Sequence, residues 1–407
     1  MEEHPQARFI IQTLAHHGFV AYYAGGWVRD YLLQKVSDDI DIATNALPET
    51  IQTLFPHTVP IGIAFGIVLV CLEGHQYEVA TFRQDFDYTD GRRPSQVQFS
   101  TAEEDAKRRD FTVNGMFYDP LRHQILDFVN GQKDLQAKII RAIGNPHERI
   151  KEDRLRMIRA ARLACRFDFT IDPATEQAIR THANELFPAV AIERVWQELS
   201  KGLAFKKLQP MLLMLHDFGL LASIFPQLKP LSQKELENRL SPLSFFPPDA
   251  PLIAHLLELF PHFTRSEALD LCTYLKVSNA DVQFVMFLFH LKSLLQTKTA
   301  EDIEWAYFYA HPLSSLCLKI IAAHLDKSQN QTFMSHHEAR RHQFAFAIDR
   351  IQKRTPLLTA HDLIAAGILP GPKMGRLLKA AEKIAINQKI EDKEKILAIL
   401  KMRPDWA

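Results

Sequence analysis

Two periodicities divide the chain. Up to about residue 145, short runs rich in β-branched and aromatic residues ("FVAYYAGG", "DIDIAT", "FGIVLVCL", "YEVATFR", "QILDFV") alternate with short helical stretches and read as strands. After "IGNPHERI", apolar residues recur every three to four positions, as in "EDRLRMIRAARLACRF", "AIERVWQELSKGLAF" and "LQPMLLMLHDFGLLASIF", the spacing of amphipathic helices. The polar, proline-rich "KPLSQKELENRLSPLSFFPPDAP" is a joint between helical units, and Gly and Pro in "GILPGPKMGRLL" punctuate the start of a last, basic helix. This pattern predicts an α+β fold. A head with a small mixed or antiparallel sheet spans 1–145, followed by helical segments over 146–228 and 229–330 and a basic helical tail over 331–407.

A length of 407 residues gives ample core for two to four such units, and 47% hydrophobic with 24% charged residues is ordinary for a soluble protein. Cys71, Cys165, Cys272 and Cys317 lie far apart without metal-ligand spacing, so they read as buried thiols in a reducing compartment. The opening "MEEHPQARFI" lacks the pattern of a signal peptide, and no apolar run approaches membrane-spanning length, so a cytoplasmic location is expected.

Total charge is balanced, but its distribution is not. Arg149 to Arg166 holds seven basic residues against two acidic ones, and Arg340 to Arg403 holds 14 against six. Either run is at least a solvated helix face; together they provide local basic surface for an anionic partner.

The head carries the chemistry. "AYYAGGWVRDYLLQKVSDDIDIAT" reads as strand, Gly-Gly turn, helix, strand. Gly25 and Gly26 let a backbone approach a ligand closely, the following helix start presents free N–H groups to a phosphate, and Arg29 adds charge-assisted bonds. On the second strand, alternation projects Asp39 and Asp41 together, while Asp38 points away as a strand-end charge. Two carboxylates on one face repel unless protonated or bridged by a cation, and Mg²⁺ commonly binds through one or two carboxylates plus substrate phosphates. The same DxD pattern occurs in glycosyltransferases and in haloacid-dehalogenase phosphatases, but a phosphatase of that kind wants Thr or Val where Ala43 stands. Glu78, on an apolar strand, is either a third metal-site carboxylate or the partner of a nearby arginine. Arg92 and Arg93, then Arg108, Arg109 and Asp110, add basic pairs suited to a triphosphate.

In "EDRLRMIRAARL", Asp153, Arg156, Arg159 and Arg162 fall at steps of three and are expected on one helix face. Asp153 and Arg156 are either a helix salt bridge or a pair that reads a base. A carboxylate accepts from an exocyclic amine while a guanidinium donates to ring acceptors; cytosine and adenine present that combination, guanine and uracil the reverse.

These segments resemble the bacterial class II tRNA nucleotidyltransferases, the CCA-adding enzymes, and their relatives the bacterial poly(A) polymerases. The likeness spans the first 225 residues closely and the last 50 or so loosely. "GGWVRDYLL…DIDIAT" resembles the family's first motif, which implies Gly26 and Arg29 on the triphosphate and Asp39 and Asp41 on metal. "RRDFTVNGM" resembles the second, with Gly115 where Ala is usual, and implies Arg108 and Arg109 as nucleotide and fold contacts. "EDRLRMIRAAR" resembles the base-selecting helix, implying Asp153 and Arg156 as a protein template supported by Arg159 and Arg162. "AIERVWQELSKGL" is similar to the motif that buttresses that helix, giving Glu193 and Arg194 structural parts, and "GPKMGRLLKAAEKI…DKEKIL" to the tail that holds the tRNA elbow.

What the resemblance implies is template-independent addition of C, C and A from CTP and ATP to the tRNA 3′ end, supported by two Mg²⁺ ions. "PIGIAFGIVLV" stands where poly(A) polymerases carry a basic segment, and "RQDFDYTDGRRP" resembles the intact flexible loop that A-addition requires, which disfavours CC-only relatives. An A-adding-only enzyme, a poly(A) polymerase and a non-catalytic RNA-binding protein are the alternatives. The pairs His216–Asp217 and His361–Asp362 read as incidental, not as a phosphohydrolase site.

Overall fold

The structure, a computed structural model, describes residues 4–37, 39–62, 65–88, 94–297 and 299–406. Asp38, Arg92 and Arg93 lie outside the described residues. The chain divides into two compact units, one ending at Leu236 and one beginning at Glu237.

The first unit opens with α1 (Pro5–His16), β1 (Ala21–Ala24), α2 (Gly26–Leu32), β2 (Asp41–Thr44), α3 (Pro48–Leu54), β3 (Thr58–Gly62), β4 (Ile67–Leu72) and β5 (His75–Thr81). Then come β6 (Arg83–Tyr88), β7 (Pro94–Phe99), α4 (Ala102–Lys107), β8 (Met116–Asp119), β9 (Gln124–Asp127) and α5 (Gly131–Ala137). Seven strands form one mixed sheet in the order β3-β4-β5-β2-β1-β8-β9, in which β2 and β5 run parallel and the other neighbours antiparallel. β6 and β7 pair separately as a hairpin, from Arg83 opposite Phe99 to Tyr88 opposite Pro94.

The pleat sorts the sheet's side chains onto two faces. Tyr23, Ile42, Val79 and Tyr118 lie in the main core with Ile10 and Leu14 of α1, while Ala24, Ala43, Phe82 and Phe117 form a smaller cluster on the other side. Ala24 is the register partner of Asp41, so that carboxylate belongs to the second face. Glu78 precedes Val79, the partner of Ile42 on the parallel strand, and so stands on the same face as Asp41. The small residues Ala24, Ala43 and Ala80 leave the space above this face open.

Beyond the sheet come β10 (Ile139–Ile140), α6 (Pro146–Glu152), α7 (Leu155–Phe167), β11 (Thr170–Ile171), α8 (Pro173–His182) and α9 (Ile192–Ala204). The expectation that Asp153, Arg156, Arg159 and Arg162 share one helix face fails in two places. The helix breaks at Asp153, whose backbone is extended (φ −145°, ψ 101°), and α7 starts again after Arg154. Aspartate favours such breaks because its side chain competes for backbone donors, and here Oδ1 accepts from the Leu155 N–H at 3.2 Å. Within α7, a step of three residues falls short of the 3.6-residue turn. Arg156 and Arg159 therefore reach Arg108 and Asp110, while Arg162 has drifted round to Glu198 of α9, which Arg159 also approaches at 3.9 Å.

The second unit is helical. Capping boxes start the helices Arg265–Leu275, Asn279–Gln296 and Ala360–Ala365, through Thr264 with Glu267, Ser278 with Asp281 and Thr359 with Asp362. Leu363, Leu377, Ala381, Ile396 and Leu400 bury the inner faces of its last helices, and Arg376, Lys379, Lys383 and Lys389 stay exposed. The cysteines are free thiols; Cys165, Cys272 and Cys317 are buried and Cys71 is half-buried. No described helix is long and apolar enough to cross a membrane.

Candidate active site

An open cleft of about 480 Å³ lies over the small-residue face of the sheet. Its floor is β1, β2 and β5, its rim the Gly25–Gly26 turn, and its far wall Arg108, Arg109 and Asp110 with Asp153, Arg156 and Arg159. Nine of the sequence-predicted residues line it: Gly25, Gly26, Asp41, Glu78, Arg108, Arg109, Asp153, Arg156 and Arg159.

Gly25 holds φ +67°, ψ −129°, a backbone that glycine adopts freely. A β-carbon there would lie 3.0 Å from Nη1 of Arg109 and 3.8 Å from Oδ2 of Asp41. The missing side chain thus leaves a passage between a cation and a carboxylate. Asp41 opens onto the cleft, yet the surrounding protein thins its solvation. That desolvation, with the charges of Asp39 and Glu78, raises its pKa to about 6 against the pull of Arg109. Asp39, expected on the same strand face as Asp41, stands exposed just ahead of β2 and is not among the residues that line the cleft, though its charge acts on Asp41. Glu78 has no ion pair among the described residues, so the arginine partner considered for it is not found there. Nor, among the described residues, do three His, Cys, Asp or Glu side chains converge into a closed metal cage.

The arginines are held by two acids, Asp105 buried and Asp110 half-buried, to which the sequence reading gave no role. Asp105 of α4 receives Arg108 through Nε and Nη2 on one oxygen, at 2.9 and 2.7 Å, and Arg109 likewise on the other, at 3.1 and 2.9 Å. Burial opposes the Asp105 charge, but Arg109 and Arg108 outweigh it and lower its pKa. Asp110 accepts from Arg159 at 2.8 Å and from Asn114 at 3.1 Å. Its burial would raise its pKa; Arg159 and Arg156 instead hold it at about 2. The signal was present in "EEDAKRRD", where the acid precedes its arginines by three and four residues, one helical turn.

Asp153 and Arg156, expected to read the base, are not each other's partners. Arg156 donates to Glu152 at 2.8 Å and to the Arg149 carbonyl at 2.7 Å, and Asp153 is gripped by Arg194 of α9.

Arg29 and Arg162 sit behind the cleft. Arg29 is 4% exposed, bonds Asp30 and Asn114, and lies over the Phe167 ring at 4.5 Å. Burial lowers its pKa, opposed chiefly by Asp30. Its guanidinium lies under Gly26, 3.4 Å from where a β-carbon would be. Arg162 is 8% exposed and paired with the still more buried Glu198.

The head model described as "Poly A polymerase head domain" matches residues 21–141, and a model of tRNA nucleotidyltransferase domain 2 matches 253–400. A CCA-adding enzyme of Anoxybacillus flavithermus is 33% identical over 399 residues, covering 97% of this chain and 96% of its own length. The chain belongs to the CCA-adding enzyme family. The crystal structure of the Bacillus stearothermophilus CCA-adding enzyme in complex with CTP matches with a TM-score of 0.78 and 30% identity, over 98% of this chain and 97% of that one. A Thermotoga maritima CCA-adding enzyme complexed with tRNA shares the fold, with a TM-score of 0.65 at 21% identity, over 97% and 94% of the two chains.

The two His-Asp pairs have structural partners. His216 bonds the Gln233 side chain and the Leu231 carbonyl, and Asp217 pairs with Arg180. Asp362 closes a capping box and meets Lys393.

Proposed function

We propose that this cleft adds C, C and A, from CTP and ATP, to the 3′ end of tRNA without a nucleic-acid template. The observation that carries the reading is one open space holding both a repelling carboxylate pair, Asp41 with Glu78, and the Asp153 and Arg156 side chains, with arginines between them.

The residues present fit divalent metal. Asp41, with its pKa raised partly by Asp39 and Glu78, is a carboxylate whose neighbours a cation would neutralise. Mg²⁺ needs no closed protein cage, since it keeps water and substrate phosphates in its shell. Asp39 and Asp41 would hold two such ions, and Glu78 adds negative charge beside them. When bound, the ions supply a lowered pKa for the attacking hydroxyl and charge balance on the departing pyrophosphate.

The chain's own groups do the rest. The Gly25–Gly26 turn admits the triphosphate, and Arg108, Arg109 and Arg159 balance its charge. Asp153 accepts from the exocyclic amine of cytosine or adenine while Arg156 donates to the adjacent ring acceptor. Arg29 and Arg162 act through others, Arg29 beneath the glycine turn and Arg162 through Glu198. The exposed basic face around Arg376 and Lys379 grips tRNA by backbone and shape.

The test is incubation of purified protein with Mg²⁺, labelled CTP or ATP, and tRNAs ending before the first C, after one C and after two. The expected result is C on the first two and A on the third. Failure to incorporate either nucleotide removes the enzyme reading, long A-tails on other RNA identify a poly(A) polymerase, and A without C identifies an A-adding enzyme.

A further inference from the structure

The main-core face of the head sheet carries a second cavity, of about 280 Å³, that nucleotide transfer does not use. It lies on the opposite side of the sheet from the catalytic cleft. Tyr23 and Tyr118 are direct partners across β1 and β8 and line the cavity, whereas the next pair, Ala24 and Phe117, faces the cleft side. α2 lays Trp27 and Tyr31, one turn apart, against the same strands. Their rings stack at 5.0 Å and 21°, and Tyr31 lies 4.8 Å from Tyr118. The volume sits near the lower end of small-ligand pockets, about 300 Å³, room for one base and its sugar.

The polar wall has a single sign. Arg8 of α1 and Lys35, just after α2, line it together with His4 and His123, and no Asp or Glu does so among the described residues. Nε of Arg8 is itself buried with no hydrogen-bond partner, so an anion entering the cavity would meet the terminal nitrogens of that guanidinium. Aromatic rings beside unopposed cations suit a planar anion, its ring stacked and its phosphate on the guanidinium.

We propose that this rear cavity binds a nucleoside monophosphate unit, its base against Trp27 and Tyr31 and its phosphate on Arg8 and Lys35. The unit is either a free mononucleotide or one nucleotide of an RNA strand.

The experiment titrates AMP into the full chain by calorimetry in EDTA, where no divalent ion supports triphosphate binding in the front cleft. The expected result is a site that the double variant Arg8→Met, Lys35→Met weakens about tenfold or more, and that Asp153→Ala leaves unchanged. Arg8→Lys, which keeps the charge but loses the fork, should retain part of the binding. The double variant keeps its incorporation of CTP into tRNA, which separates this site from the reaction. Absence of AMP binding at millimolar concentration overturns the proposal, as does binding lost in Asp153→Ala and kept in the double variant. A short RNA oligonucleotide then names the source. If it displaces AMP, the cavity takes a strand nucleotide; if AMP stays bound, it takes the free mononucleotide.

Discussion

Arg194 reaches from α9 to Asp153 and closes on both of its oxygens, Nη1 at 3.1 Å from Oδ1 and Nη2 at 2.9 Å from Oδ2. A fork on a carboxylate fixes its rotation as well as its position. The remaining lone pairs of Asp153 are thereby aimed, which a carboxylate at a break between two helices would not achieve alone. Arg194→Ala should therefore blur base choice before it stops transfer. We expect misincorporation of UTP and GTP to rise and kcat/KM for CTP to fall about tenfold or more, the scale of a lost charge-assisted bond. Single-nucleotide incorporation with all four triphosphates measures both. Arg194→Lys should restore charge but little selectivity, because an ammonium is a point and not a fork.

On the proposed function, Asp41 should set stability against activity. Desolvation and the charges of Asp39 and Glu78 disfavour its ionised form. Asp41→Asn removes one of the repelling charges, so the metal-free protein should melt at a slightly higher temperature, by about 1–2 °C for a chain of this size. Nucleotide transfer should be abolished, and the stabilisation that Mg²⁺ with CTP gives the parent should shrink. Thermal melts with and without Mg²⁺ and CTP, beside the incorporation assay, check all three outcomes.

Asp110 predicts a pH dependence of folding. Its pKa of about 2 in the folded protein lies below the ordinary 3.8, so the unfolded chain binds this proton more readily. The stabilisation is complete above about pH 4 and is lost as pH falls from there toward 2, roughly 2 kcal/mol in all. Asp110→Asn should lower stability at neutral pH and flatten the decline between pH 5 and 3. Urea midpoints of parent and variant across that range measure the difference.

The tail should behave as a phosphate-binding surface. Replacing the exposed Arg376 and Lys379 by Ala should weaken tRNA binding for all tRNA sequences alike. It should also reduce the slope of log affinity against log salt by about one per residue that meets a phosphate. Incorporation at saturating tRNA should stay near that of the parent. Filter binding over a salt series, with a kinetic control, is the measurement.

The head sheet and the position of Asp41 on it were legible because they obey local rules, whereas Asp39 falls ahead of the strand. β-branched and aromatic runs marked the strands, and the two-residue period placed Asp41 on an open face beside alanines. Helical phase was legible only over short distances. A step-of-three pattern held Arg156 and Arg159 together, then carried Arg162 round toward Glu198, and the break at Asp153 was hidden in a run that scores as continuous helix. Arg29 was read as a ligand contact because it follows the glycine turn, but its side chain turns inward to Asp30, Asn114 and Phe167. Partners distant in sequence, such as Arg194 for Asp153 and Asp30 for Arg166, depend on how helices pack, and no local spacing announces them.

On the proposed function, the double grip of Asp105 would separate attraction from accuracy. One buried carboxylate orients two guanidiniums, so on that reading losing this acid would free their direction before it removed their charge. A variant lacking Asp105 would still draw in triphosphates, and would hold them at undefined angles beside Gly25, where Arg109 stands only 3.0 Å from the place a β-carbon would take. Such a site would fail by loss of aim, with crowded substrate and slow, inaccurate chemistry, and measurements of affinity alone would miss the defect.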